Sequence, residues 1–199
     1  CMHARIDASK LRSGYLSDEQ WAKLGLALGS LSEAPIFIDD TPSMSILQLR
    51  AKARRLVARH AIKLVVVDYI QLMTAPGEES RQLEIATISR GIKALARELD
   101  VPIIALSQLN RAAEAREGHK PRLGDLRESG ALEQDADVVV LLHRPSYYPG
   151  GAQGADSGPG PSAEETELII AKQRNGPTGN IQLVFRSNLL RFESVAKGF

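Results

Sequence analysis

The chain has 199 residues, 25 of them Lys or Arg and 24 Asp or Glu, for a formal net charge of +1. With 43% hydrophobic and 25% charged residues, this is the balance of a globular protein long enough for one sizeable core. Overall charge therefore gives no means of holding nucleic acid or a membrane surface, and any such contact must be local. No apolar run reaches the roughly 20 residues that span a bilayer, and no basic-then-apolar leader opens the chain. The single cysteine, Cys1, leaves no internal disulfide, as expected in a reducing cytoplasm. The chain opens on Cys1 rather than Met and reads as a fragment of a longer product.

Ser17 with Gln20 three residues on has capping-box spacing, and Trp21, Leu24, Leu28 and Leu31 follow at helical intervals. "APIFID", residues 34 to 39, reads as a short buried strand. Residues 41 to 60 read as an amphipathic helix with Ile46, Leu49, Ala53, Leu56 and Val57 on one face. "KLVVVD" (63–68) is the next strand, 80–100 a helix with Ile88, Ile92, Leu95 and Leu99 on a stripe, and "VPIIALS" (101–107) a strand followed by Gln108. After a polar stretch, "ALEQ" forms a short helix and "ADVVVLLHR" (136–144) a strand. Residues 145–163 hold nine Pro or Gly in nineteen positions, the composition of a flexible surface loop. "TELIIAKQ" and "NIQLVFR" flank "RNGPTG" as a hairpin, and "LLRFESV" closes as a strand. Strands alternating with helices predict an α/β fold with parallel strands joined by crossovers, made mixed by the C-terminal hairpin. One domain over 1–199 is expected.

Four features carry candidate chemistry. Asp68 ends an apolar strand. Ligands of open α/β sheets sit at strand carboxyl ends, where such an acid fits a Walker B strand that helps hold Mg²⁺ on a nucleotide; the same pattern fits an Asp that caps a turn. Gln108, at the end of the neighbouring strand, can orient water or sense a terminal phosphate, or bond a loop backbone. Lys172 and Arg174 alternate with Gln173 and point to one side of a strand, beside a tight turn. Two fixed cations suit a phosphate across a subunit boundary, and they also suit a solvated hairpin. Arg127, Glu128, Ser129 and Gly130 precede a short helix, where Gly130 admits close backbone approach; a capped turn is the plainer reading.

Taken together, "VVVDYIQLM", "EIATISRGIKALARELDVPIIALSQLNRA", "DLRESGALEQDADVVVLLHRP", "IIAKQRNGPTG" and "RFE" resemble, in order, the C-terminal motor domain of the bacterial replicative DNA helicase, the DnaB family. The likeness spans about residues 1–195. It implies a RecA-like P-loop ATPase core with a mostly parallel central sheet flanked by helices. It also implies assembly as a homohexamer around single-stranded DNA, ATP and Mg²⁺ as cofactors, 5′-to-3′ translocation with duplex unwinding during DNA replication, and primase and a helicase loader as partners in the bacterial cytoplasm. By the same resemblance Asp68 matches the Walker B acid and metal ligand, and Gln108 the residue linking the γ-phosphate to the DNA-binding loops. Arg127, Glu128 and Gly130 match the loop on the DNA backbone, Arg174 the arginine finger, and Lys172 its basic companion, with Gln173 between them in the nucleotide-binding set. Basic residues between 111 and 122 fall in the channel-facing region.

The family motif G-x-x-x-x-G-K-[ST], a Walker A loop, matches none of the sixteen glycines. The resemblance also places the catalytic glutamate, the N-terminal domain and the linker helix upstream of Cys1. The isolated chain is therefore expected not to hydrolyse ATP at a helicase rate. Two other readings stay open: another RecA-type recombination or repair ATPase, and a non-catalytic remnant that packs into a ring.

Overall fold

The computed structural model describes residues 1–148 and 163–195, with only the backbone described at 127–129. Helix α1 (Ala8–Ser13) leads to α2 (Asp18–Glu33), whose capping box joins Ser17 and Gln20 in both directions. The second box, Ser45 with Gln48, starts α3 (Ile46–His60). Each box satisfies two N–H groups that the first helical turn leaves without partners. Strand β1 (Val65–Val67) is followed by α4 (Arg81–Leu99) and β2 (Ile103–Ala105); α5 (Gly130–Asp135) then leads to β3 (Val138–His143). β4 (Ala163–Gln173), β5 (Gly179–Arg186) and β6 (Arg191–Ser194) complete the described chain.

β1 and β2 pair in parallel, Val65 with Ile103 through Val67 with Ala105, and the crossover between them is α4. β3–β4–β5–β6 form a four-stranded antiparallel sheet. Among the described strands the expected parallel pairing is thus confined to β1 and β2. β3 turns to antiparallel pairing because β4 returns beside it after residues 144–162.

α4 anchors the core. Its Ile85, Ile88 and Ile92 pack with Ile70, Met73 and Ala75, and Ile46, Leu49, Val67, Ile103 and Ala105 close around them. α3 approaches α4 at Gly91, where an added Cβ would collide with the Ile46 side chain. The expected apolar face of α3 is the one turned inward, with Ala53 buried and Ile46, Leu49, Leu56 and Val57 half-buried. A second cluster joins Leu126, Val139 and Leu141 to Leu109, Leu123, Ile169 and Ala171.

Two expectations need correction. Residues 34–39 form no strand; Ile36, Phe37 and Ile38 are exposed, Ile38 at 90%. An apolar run becomes a strand only where another backbone pairs with it, and none of the described residues does. The expected loop at 145–163 is ordered at both ends: Pro145–Tyr147 form a 3₁₀ turn and Ala163 begins β4. Residues 149–162 lie outside the described residues. Trp21, Leu28 and Leu31 are exposed on α2, as are Val66, Ile104, Val140 and Leu142 on the strands. No described helix is long and apolar enough to cross a membrane.

Candidate nucleotide and DNA site

Asp68 follows β1 directly, is exposed, and makes no hydrogen bond or ion pair among the described residues. An apolar groove of about 850 Å³ runs from Pro35 and Phe37 past His60 to Asp68 and Tyr69. Beside Asp68 the ladder continues for one more step: Leu106 N–H donates to Val67 O (2.9 Å) and Ile70 N–H to Leu106 O (3.0 Å). Beyond that, Gln71 joins the two strand ends. Its Nε2 donates to Ser107 Oγ at 3.0 Å, and its Oε1 accepts from Gln108 N–H at 3.2 Å. The Gln108 side chain is exposed and has no hydrogen-bond partner among the described residues. Gln71, Arg81, Gln82, Gln108, Asn110 and Asp125 line a smaller polar cleft of about 290 Å³.

From Gln108 the chain passes to the polar stretch that precedes α5. Asp125 organises it. Its carboxylate, 5% exposed, accepts both Nη atoms of Arg116 at 3.0 and 2.8 Å and the Arg122 N–H at 2.7 Å; its carbonyl accepts the Asn110 N–H at 3.0 Å. The Arg116 guanidinium holds the Asp125 carboxyl below the ordinary carboxylate range, against the opposing effect of burial. The stretch is also tied to the antiparallel sheet. His143 Nε2 lies 3.0 Å from Gly118 O, His119 stacks on Tyr148 with centroids 4.3 Å apart, and Lys120 pairs with Glu167 at 2.6 Å. Residues Leu123–Ser129 form a 3₁₀ helix that runs into Gly130, the first residue of α5. Gly130 is exposed, and none of the described residues that flank the site comes within 4 Å of the place a Cβ would take. The side chains of Arg127 and Glu128 lie outside the described residues.

At the other end of α5 are Lys172 of β4 and Arg174, which directly follows that strand. Lys172 Nζ donates to the carbonyls of Glu133 and Gln134, and Arg174 Nη2 donates to Gln134 O. The last turn of α5 has no basic residue of its own, so β4 supplies the positive charge its free carbonyls favour. The register of β3 and β4 shifts between Val139–Lys172 and Val140–Ile170. The bulge therefore falls at Ala171, next to the site, where bulges re-aim side chains. Arg174 N–H donates to Asp137 O at 2.9 Å, and its Nε lies 3.7 Å from Asp137 Oδ1. Asp137 also takes Lys93, whose ammonium is the main cause of its lowered pKa. The Gln173 amide lies against the turn at Gly176.

Asp68 and Gln108 thus sit at adjacent strand ends. Lys172 and Arg174 share a side, as their alternation predicts, but on the other sheet, with both turned onto their own chain. Sequence reasoning missed Gln71, Asp125 and Asp137. Gln71 is the one polar residue of "YIQLM" after Tyr69, a weak signal; the other two are lost among several neighbouring acids.

The donor set fits part of a nucleotide site. Mg²⁺ on a nucleotide uses one or two carboxylates, phosphate oxygens and water, so one exposed, unpaired Asp68 is suited to it. No cluster of three His, Cys, Asp or Glu among the described residues offers a cage for a metal. A phosphate cradle of the Walker A kind is missing from this sequence.

Comparison with known proteins agrees with the sequence motifs. The DnaB-like helicase C-terminal domain family matches residues 1–194. The replicative DNA helicase DnaB of Geobacillus stearothermophilus is 46% identical over 201 residues, which cover 100% of this chain and 42% of the relative. The chain thus spans less than half the length of that relative. Among solved structures, one described as an ATPase domain superposes with a TM-score of 0.83 at 37% identity, covering 98% of this chain and 68% of that one. A structure described as a DnaB-like replicative helicase and its interactions with primase superposes with a TM-score of 0.84 at 37% identity, covering 98% of this chain and 46% of that one. The RecA-like α/β fold follows from these neighbours, and the chain belongs to the family of DnaB-like helicase C-terminal domains.

Proposed function

We propose that this chain is part of the motor domain, within residues 1–199, of a replicative 5′-to-3′ DNA helicase. In this reading the whole protein assembles as a homohexamer, hydrolyses ATP with Mg²⁺ at subunit interfaces, and uses the turnover to move along single-stranded DNA and unwind duplex. Primase and a helicase loader are its partners at the bacterial replication fork, in the cytoplasm. The observation that carries the proposal is the pair Asp68 and Gln108. A carboxylate and an amide, both without a side-chain partner among the described residues, stand at the carboxyl ends of adjacent parallel strands, where α/β sheets take their ligands.

The roles follow from chemistry. Asp68 supplies an oxygen to the metal that neutralises the phosphates. Gln108 contacts the terminal phosphate and passes its state along the backbone to Asn110, Asp125 and the 123–130 segment. Arg127, Glu128 and Gly130 meet the DNA backbone; contacts to phosphate carry no sequence information, which suits a motor that must pass over every base. Arg174, with Lys172 and Gln173 beside it, reaches the neighbouring subunit's nucleotide as a finger in trans. To do so it leaves the α5 carbonyls, so α5 joins the DNA segment at its first residue to the finger at its last.

The test is single-stranded-DNA-stimulated ATP hydrolysis by the full-length protein and its Asp68→Asn variant. Stimulated turnover that falls by about 100-fold or more in the variant supports the reading; unchanged turnover contradicts it.

A further inference from the structure

We infer that Gln71 is a positioning residue for Gln108, fixing where the Gln108 side chain leaves the backbone. The inference rests on the reading of Gln108 as the group that senses the terminal phosphate.

Among the described residues the backbone ladder between β1 and β2 ends with the two bonds around Leu106. Gln108 lies past that point, where no strand remains to pair with its peptide groups. The Gln71 side chain takes the place of a strand. Its Oε1 accepts the Gln108 N–H at 3.2 Å, while its Nε2 faces Gln108 O at 3.4 Å and Ser107 Oγ at 3.0 Å. A primary amide carries an acceptor and donors side by side, as a peptide group does. The Gln108 N–H can only donate, so it sets which way the Gln71 amide is turned.

Gln71 is itself held. Its carbonyl accepts Arg81 Nη2 at 2.7 Å, and Arg81 Nη1 donates to Met73 O at 3.2 Å. Arg81 is the first residue of α4 and pairs with Glu84 at 2.5 Å. One turn later, Ile85 and Ile88 of the same helix are buried in the core. Rigidity thus runs from the core through Arg81 and Gln71 to the Gln108 backbone. Two residues further on, Asn110 is fixed to Asp125 O. The backbone of Gln108 is held on both sides while its side chain stays exposed, without a partner among the described residues, which is what a group that must engage and release a phosphate requires.

The experiment uses the full-length protein and reads kcat and KM for DNA-stimulated ATP hydrolysis in Gln71→Met, Gln71→Glu, Gln108→Ala and the Gln71→Met/Gln108→Ala double variant. Methionine keeps the shape and removes the hydrogen bonds. Glutamate keeps an oxygen for the Gln108 N–H but turns another toward the Gln108 carbonyl, and it decides the matter if the methionine variant does not assemble. The expected result is a fall in kcat of about 10-fold in both Gln71 variants with KM for ATP within about twofold. The double variant is expected to be no slower than Gln108→Ala alone, because residues acting as a unit are not additive. A Gln71 effect that multiplies with that of Gln108→Ala, one confined to KM, or a kcat within about twofold of the parent in both Gln71 variants overturns the positioning role. Full activity of Gln108→Ala overturns the sensing role itself, and this inference with it.

Discussion

The two halves of the candidate site are prepared differently. At the ends of β1 and β2 the backbone is locked, by the ladder around Leu106 and by Gln71, while the Asp68 and Gln108 side chains are left open. At the end of β4 the reverse holds. Lys172 and Arg174 are occupied, bonded to the last carbonyls of α5, with Asp137 shared between Arg174 and Lys93. An exposed acid is ready for a metal without rearrangement. For Arg174 to act as the proposed finger it has to exchange partners, and in that reading the exchange is where DNA contact and a neighbouring subunit act.

The largest effect is expected at Arg174. In the full-length protein, Arg174→Ala is expected to lower kcat for ATP hydrolysis by about 10³-fold or more while nucleotide affinity, measured by titration of a fluorescent analogue, stays within a few-fold. Retained hydrolysis in an assembled Arg174→Ala protein would sink the assignment.

Asp125 tests the connection between the halves. Asp125→Ala leaves Arg116 without its carboxylate and frees the 110–122 stretch, so proteolytic cleavage there is expected to quicken by about 10-fold or more. The same bond gives a pH dependence. The folded-state pKa of Asp125 is depressed, so its contribution is present above the unfolded pKa of about 3.9 and is lost as pH falls through the lower folded value. Opening of 110–122, followed by amide exchange, should therefore increase below about pH 4. In Asp125→Ala that part of the acid response should disappear; an unchanged response would place its origin elsewhere.

A smaller effect is expected at Arg127. Arg127→Ala should weaken single-stranded DNA binding by a few-fold, reduce the salt slope by about 1 and leave base preference unchanged. A change in base preference would contradict a backbone contact.

Much of this was legible in the sequence where the signal is local and periodic. Ser17–Gln20 announced a helix start that the structure caps as expected, whereas the helix expected from residue 41 begins at Ile46, behind a Ser45–Gln48 box. The Ile88, Ile92, Leu95 stripe is buried, and the turn at Asn175-Gly176-Pro177 joins the hairpin strands. The alternation of Lys172 and Arg174 put both on one side, as found on α5. What was not legible depends on partners distant in sequence. Residues 34–39 have the composition of a strand and no pairing neighbour among the described residues. Gln71 meets Gln108 through side-chain-to-backbone bonds 37 residues apart, a contact that leaves no periodic trace. Asp137 becomes important only because α4 brings Lys93 to it. The described strands include one parallel pair, β1 with β2, while β3 pairs antiparallel with β4.

The proposed catalytic site draws Asp68 from one subunit and Arg174 from the next. It is tested most directly by mixing subunits of the full-length protein that carry Asp68→Ala with subunits that carry Arg174→Ala, each inactive alone. In a ring with head-to-tail interfaces, an equal random mixture rebuilds both residues at about a quarter of the sites. ATP hydrolysis rising to about that fraction of the parent rate is the predicted result. A mixture no more active than the two variants measured separately would contradict it.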